Sequence, residues 1–170
     1  LAARARLADG LYLRHIHADG ILDSQRPLPV TWVSWFAAAA FCDAQGKRLP
    51  TSSEWEKAAR GTSGFLYPWG NKMVNGRANF CDRRCPDPWR DNQWDDGYAG
   101  LAPAGSFPNG ASPYGALDMA GNVDEWVADW LDPSGQYARQ LPRENPTGPA
   151  NGYRRLVLGG SFATHSRFGT

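Results

Sequence analysis

The sequence predicts an α+β domain of two short helices, a few short strands and long loops, and three observations carry that prediction. Two helix signatures follow one another between residues 34 and 61. Beyond Gly61 almost every window of ten residues up to Thr147 contains Gly, Pro, Asn or Asp, which leaves room for short strands only. Eight Trp stand beside 19 Gly and 13 Pro, a composition that packs loops on aromatic anchors.

Taken in order, residues 10–17 alternate loosely and read as a strand, with Asp19-Gly20 as a turn. Pro29-Val30-Thr31-Trp32-Val33 is an extended piece leading to a helix over 35–45, with Ser34 as N-cap and Gly46 in the C-cap position. Phe36, Ala40 and Phe41 share a face by their i, i+4, i+5 spacing, and that face is expected to be buried. Lys47-Arg48-Leu49-Pro50 connects tightly to a capping box at Thr51-Ser52-Ser53-Glu54. There the Thr hydroxyl can accept the Glu54 N–H and the Glu carboxylate can reach back. A helix over 52–60 follows and Gly61 stops it; Leu156-Val157-Leu158 is the strand expected near the end. So long a stretch of loop is disfavoured in a compact domain. It becomes tolerable if bound ions and the side chains of Trp32, Trp35, Trp55, Trp69, Trp126 and Trp130 act as its organising core, so metals are expected.

The 170 residues suit one domain. A net charge of +1 with 21% charged residues points away from a nucleic-acid partner, and the basic doublets Lys47-Arg48 and Arg154-Arg155 read as solvated. Mean hydropathy is −0.53 and no apolar run approaches bilayer length, so no membrane partner is expected. Leu1 is not an initiator methionine and no signal-peptide core follows it, so the chain reads as an internal stretch of a longer polypeptide. Cys42, Cys81 and Cys85 cannot all pair; Cys81 and Cys85 could form a local disulfide or half a metal site. His15 and His17 share a face if their segment is a strand, but two imidazoles make a weak site, and His165 reads as a surface residue.

Seven ordered blocks are more specific. Gly46-Lys47-Arg48-Leu49-Pro50-Thr51 with Glu54-Trp55-Glu56, Ala58-Ala59-Arg60-Gly61, Tyr67-Pro68-Trp69-Gly70, Ala78-Asn79-Phe80, the run from Gly115 to Val123, Glu125-Trp126, and Gly159-Gly160-Ser161-Phe162 resemble the sulfatase-modifying-factor family, the formylglycine-generating enzymes and their relatives. The resemblance implies a C-type-lectin-like fold with small twisted antiparallel sheets. It divides the chain into a partly ordered lead-in over 1–28 and a family domain over 29–170 that lacks its last segment.

Two calcium sites are implied as well. Asp118 and Glu125 would give carboxylates to one, and Gly121 and Val123 backbone carbonyls. Asn79 and Asp96 would give side-chain oxygens to the other, and Phe80 and Tyr98 carbonyls, with Gly97 permitting the sharp bend. The enzymes of the family bind copper through two cysteines, because thiolates suit Cu(I). Here those two positions are Thr164 and Gly169, so copper and catalytic residues are not expected. Family members usually carry Trp where this chain has Asp124. The resulting expectation is a non-catalytic, calcium-stabilised binding scaffold whose ligand surface is Thr164, His165, Arg167 and Phe168, with a protein or peptide as partner. Two alternatives stand beside it: an O₂-dependent oxidoreductase of the same family, of the formylglycine-generating or non-haem-iron sulfoxide-synthase type, and a ligand-binding variable protein of a diversity-generating retroelement.

Overall fold

A computed structural model describes residues 16–17, 20–21, 27–135, 137 and 144–166. Their order is β1 (Ile16–His17), β2 (Gly20–Ile21), α1 (Trp35–Ala44), α2 (Ser52–Arg60), a 3-10 turn at Pro108–Gly110, β3 (Glu125–Trp130) and β4 (Arg155–Leu158). This is an α+β fold, with two antiparallel two-stranded sheets among the described residues.

Both helices start as their caps dictate. The Ser34 side chain accepts the Ala37 N–H at 3.2 Å, and Gly46 beyond the other end of α1 has φ +66°. At α2 the Thr51 hydroxyl accepts the Glu54 N–H at 3.2 Å while the Glu54 carboxylate accepts the Thr51 N–H at 2.8 Å. A third partner comes from far along the chain. Buried Asp129 on β3 accepts from the Ser52 N–H at 2.8 Å and from its hydroxyl at 2.6 Å. The carboxylate thus sits at the positive end of α2 and locks helix to sheet.

β3 pairs with β4 in the register Glu125↔Leu158, Trp126↔Val157 and Trp130↔Arg155, with a shift between Trp126 and Trp130. Val127 and Asp129 point inward from β3. Val127 joins Trp55, Ala59 and Met119 in one core cluster, flanked by Leu156 and Leu158. Burying side chains of the Val127 and Met119 type contributes roughly 1.5–3 kcal/mol each. A second cluster of Ala78, Phe80 and Ala120 sits under the loops, covered by Trp69 and Met73.

Several expectations are corrected. Phe36, Ala40 and Phe41 are exposed, and α1 has no fully buried residue. Apolar side chains surround most of this helix, so spacing could not select a face. Its orientation comes from Trp35, whose Nε1 donates to Val127 O at 2.8 Å. Arg155, expected to be solvated, lies with its guanidinium 3.8 Å from the Trp35 ring centre and 3.5 Å from that of Trp130. Trp32 is 56% exposed and anchors no core. The six residues of β3 had no counterpart in the sequence reading. Of the expected strand over 10–17, Ile16–His17 falls within the described residues; His15 lies outside them.

Candidate metal centre and cleft

Gly121 passes so close to residue 79 that a Cβ there would lie 2.2 Å from Asn79 O, and its φ is +73°. A glycine is required on both counts. The approach lets Asn79 O accept the Asn122 N–H at 2.7 Å and brings the two expected calcium loops side by side.

In the first loop Asn79 is fully buried. Its Nδ2 donates to Gly100 O at 2.8 Å and to Asn122 Oδ1 at 3.0 Å, which fixes the amide orientation. Its Oδ1 is buried with no hydrogen-bond partner. A buried acceptor without a donor is costly and calls for an explanation. The Asp96 carboxylate stands in the same region, accepting from Phe80 N at 3.0 Å and Tyr98 N at 2.9 Å. Burial raises its pKa to about 6 against those two N–H donors, and neighbouring Asp82 and Asp95 add to the rise. An orphaned amide oxygen and a desolvated carboxylate crowded by negative charge form a donor set that fits a hard cation. Asp96 thus stands against the backbones of Phe80 and Tyr98, and Asn79 precedes Phe80 in the chain.

In the second loop Asp118 has φ +58°, and its Oδ2 accepts the Gly105 N–H at 2.7 Å. Glu125 Oε2 accepts from Trp55 Nε1 at 2.6 Å. The Glu125 pKa is raised chiefly by burial, with the Trp55 hydrogen bond opposing and the charge of Asp118 adding to it. The two carboxylates thus feel each other. The Gly121 carbonyl accepts the Val123 N–H at 2.9 Å, so its remaining lone pair is what it could offer a cation.

Two polar residues central to this region escaped the sequence reading. Asn122, with φ +66°, accepts from Ala102 N at 2.9 Å and donates to Ala102 O at 3.0 Å, stitching a third loop to the pair. Asp82 is buried and accepts from the Asp96 and Arg84 N–H groups. The signal for Asn122 was present, since it stands between two expected ligands; Asp82 lay in the charged insert, where spacing says little.

Cys81 and Cys85 form a disulfide, Cα atoms 5.0 Å apart, so the metal-site alternative for this pair is set aside even though Asp87 lies beside them. Cys42 is a free thiol.

Residues 161–166 are tied down at several points. Thr164 Oγ1 accepts the Ser161 N–H at 3.1 Å and shares a 3.2 Å hydrogen bond with Ser161 Oγ, while Thr164 O accepts the Cys81 N–H at 2.9 Å. Buried Ser166 donates to Asp91 at 2.9 Å. Thr164 and His165 are half-buried; Arg167, Phe168 and Gly169 lie outside the described residues. Beside this turn opens a cleft of about 910 Å³ whose lining includes Val30, Trp32, Asp124, Trp126, Val157 and Phe162. Asp124 is exposed and is hydrogen-bonded to the Ser161 side chain.

Among the described residues no helix is long and apolar enough to cross a membrane. Residues 7–169 match the family model for a sulfatase-modifying factor enzyme 1-like domain. The chain is 41% identical over 165 residues to the formylglycine-generating enzyme of Thermomonospora curvata, covering 94% of this chain and 53% of that protein. It is 44% identical over 115 residues to inactive C-alpha-formylglycine-generating enzyme 2 of Mus musculus, covering 67% of this chain and 36% of the mouse protein. The chain thus spans about half the length or less of these relatives. PvdO from Pseudomonas aeruginosa has the same fold, with a TM-score of 0.63 at 23% identity over 81% of this chain and 51% of PvdO. The ordered blocks, the two loops joined at Asn79 and these matches lead to one assignment: the chain belongs to the sulfatase-modifying factor enzyme 1-like family.

Proposed function

We propose that this family domain is a non-catalytic binding scaffold whose loops are held by calcium. The observation that carries the first half is position 164. The copper chemistry associated with the family needs a soft thiolate there, whereas this chain has a threonine hydroxyl committed to Ser161. Of the three cysteines, two are consumed in the Cys81–Cys85 disulfide and the third, Cys42, lies on α1. Similarity to a protein named as an inactive member agrees with this reading.

The observation behind the second half is the orphaned Asn79 Oδ1 together with the desolvated Asp96 carboxylate, which accepts the N–H of Phe80, the next residue in the chain after Asn79. Asn79 and Asp96 would hold the cation with carbonyls of Phe80 and Tyr98, and Asp118 and Glu125 would hold a second with carbonyls of Gly121 and Val123. Calcium would supply the positive charge that these carboxylates lack and would cross-link loops that have little secondary structure of their own.

Metal content tests both halves. The folded protein is incubated with Ca²⁺ and Cu(I), desalted and analysed by mass spectrometry. Calcium near two per chain without copper is expected. Stoichiometric copper would overturn the non-catalytic reading and restore the oxidoreductase alternative, for which the 41% identity to a formylglycine-generating enzyme speaks.

A further inference from the structure

We infer that the cleft beside the Gly159-Gly160-Ser161 turn binds a small organic ammonium ion, recognised by the Asp124 carboxylate and the Trp32 indole. This deepens the scaffold reading, on which it rests, by naming the ligand class.

The cleft, at about 910 Å³, lies within the size range of small-molecule sites. Its walls are mainly apolar, and among the described lining residues Asp124 alone carries a formal charge. A carboxylate at an otherwise uncharged, mainly apolar cleft repels anions, gives a neutral apolar ligand nothing extra, and attracts a cation. The other polar groups there are already engaged. The Asn122 amide is taken by Ala102 and Asn79, and the Ser161 hydroxyl by Thr164 and Asp124. Asp124 lines the cleft and is exposed.

Trp32 supplies the second argument. Its φ is +60°, a region that bulky residues avoid, and its side chain is 56% exposed. Neither backbone preference nor burial accounts for a tryptophan in this position. Such outliers gather at ligand sites, where an aromatic face is held out for use. An indole face together with a carboxylate is a chemically suited pair for an ammonium ion, the ring quadrupole and the negative charge acting on the same cation.

Choline and its neutral isostere 3,3-dimethylbutan-1-ol separate charge from shape, and both are titrated calorimetrically into the full calcium-loaded chain. Choline is expected to bind at least about tenfold more tightly than the isostere. Asp124→Asn should reduce that preference to less than about threefold, and Trp32→Ala should weaken choline by about fivefold or more. Both variants should keep the calcium-dependent rise in melting temperature, which shows that they fold. Equal binding of the two probes, no binding of choline, or a preference that survives Asp124→Asn would overturn the proposal. A lysine-containing tripeptide that binds more tightly than choline would overturn it in favour of a peptide ligand. The scaffold reading fails by a different measurement, copper uptake, so the two failures are distinguishable.

Discussion

Asn79 Nδ2 donates to Asn122 Oδ1 at 3.0 Å in a fully buried hydrogen bond that joins the two candidate calcium loops into one unit. Because Asn122 also exchanges two hydrogen bonds with the Ala102 backbone, three loops meet on one side chain.

Asn122→Ala should therefore be costly. It strands the Ala102 N–H and C=O and one Asn79 N–H, for a predicted loss of about 2–4 kcal/mol. Urea unfolding at neutral pH measures it. A loss below about 1 kcal/mol would show that the loops do not depend on this junction.

Asp96→Asn should behave oppositely with and without calcium. The folded pKa of about 6 exceeds the ordinary 3.8, so in metal-free protein the carboxylate costs stability as pH rises from about 4 through 6. Neutralising it should leave the chelator-treated protein at pH 7 as stable as wild type or more so. At a calcium concentration of a hundred times Kd the wild type gains about 2.7 kcal/mol per site, and the variant should forfeit that gain at this site. Thermal melts in chelator and in calcium check both signs. A variant with the full calcium gain would remove Asp96 from the ligand set.

Glu54 carries a pH dependence of the other sign. The Arg48 guanidinium, and after it the Thr51 N–H, hold its pKa at about 2 rather than 4.5. Its contribution is present above about pH 4.5 and is lost as pH falls toward 2. The group is largely solvent-exposed, so screening cuts that contribution to about 1 kcal/mol. Comparing wild type with Glu54→Gln at several pH values should show a stability gap at pH 7 that closes at about pH 2. A gap unchanged by pH would mean the carboxylate charge plays no part in capping α2.

The Cys81–Cys85 bond closes a loop with a sequence separation of 4. So short a loop constrains the unfolded chain modestly, and the double variant with both cysteines replaced by alanine should lose about 2 kcal/mol. Thiol titration of the denatured, unreduced protein should read one free thiol, that of Cys42. Three would show that the disulfide is absent.

Much of the fold was legible in short-range chemistry. Ser34, the Thr51–Glu54 box, Gly46 and Gly61 delimit two helices because each acts on backbone groups within four residues of itself. The blocks around Asn79 and Gly121 were expected as two separate calcium loops, and only the structure puts them in contact. β3 was missed because its buried positions are one aliphatic residue, Val127, and one carboxylate, Asp129, so no apolar alternation marks it, and what makes Asp129 an inward residue is Ser52, 77 positions away.

By itself the sequence determined where the helices begin and end, that loops dominate after Gly61, which family the chain belongs to, and that position 164 is no cysteine. These follow from local hydrogen bonding, turn chemistry and residue identity. Tertiary structure alone decided that Trp35, rather than Phe36 and Phe41, orients α1, and that Asn122 joins three loops. It also left Trp32 standing exposed at a cleft beside Asp124. Each of those outcomes depends on a partner tens of residues away, whose distance in space no local pattern encodes.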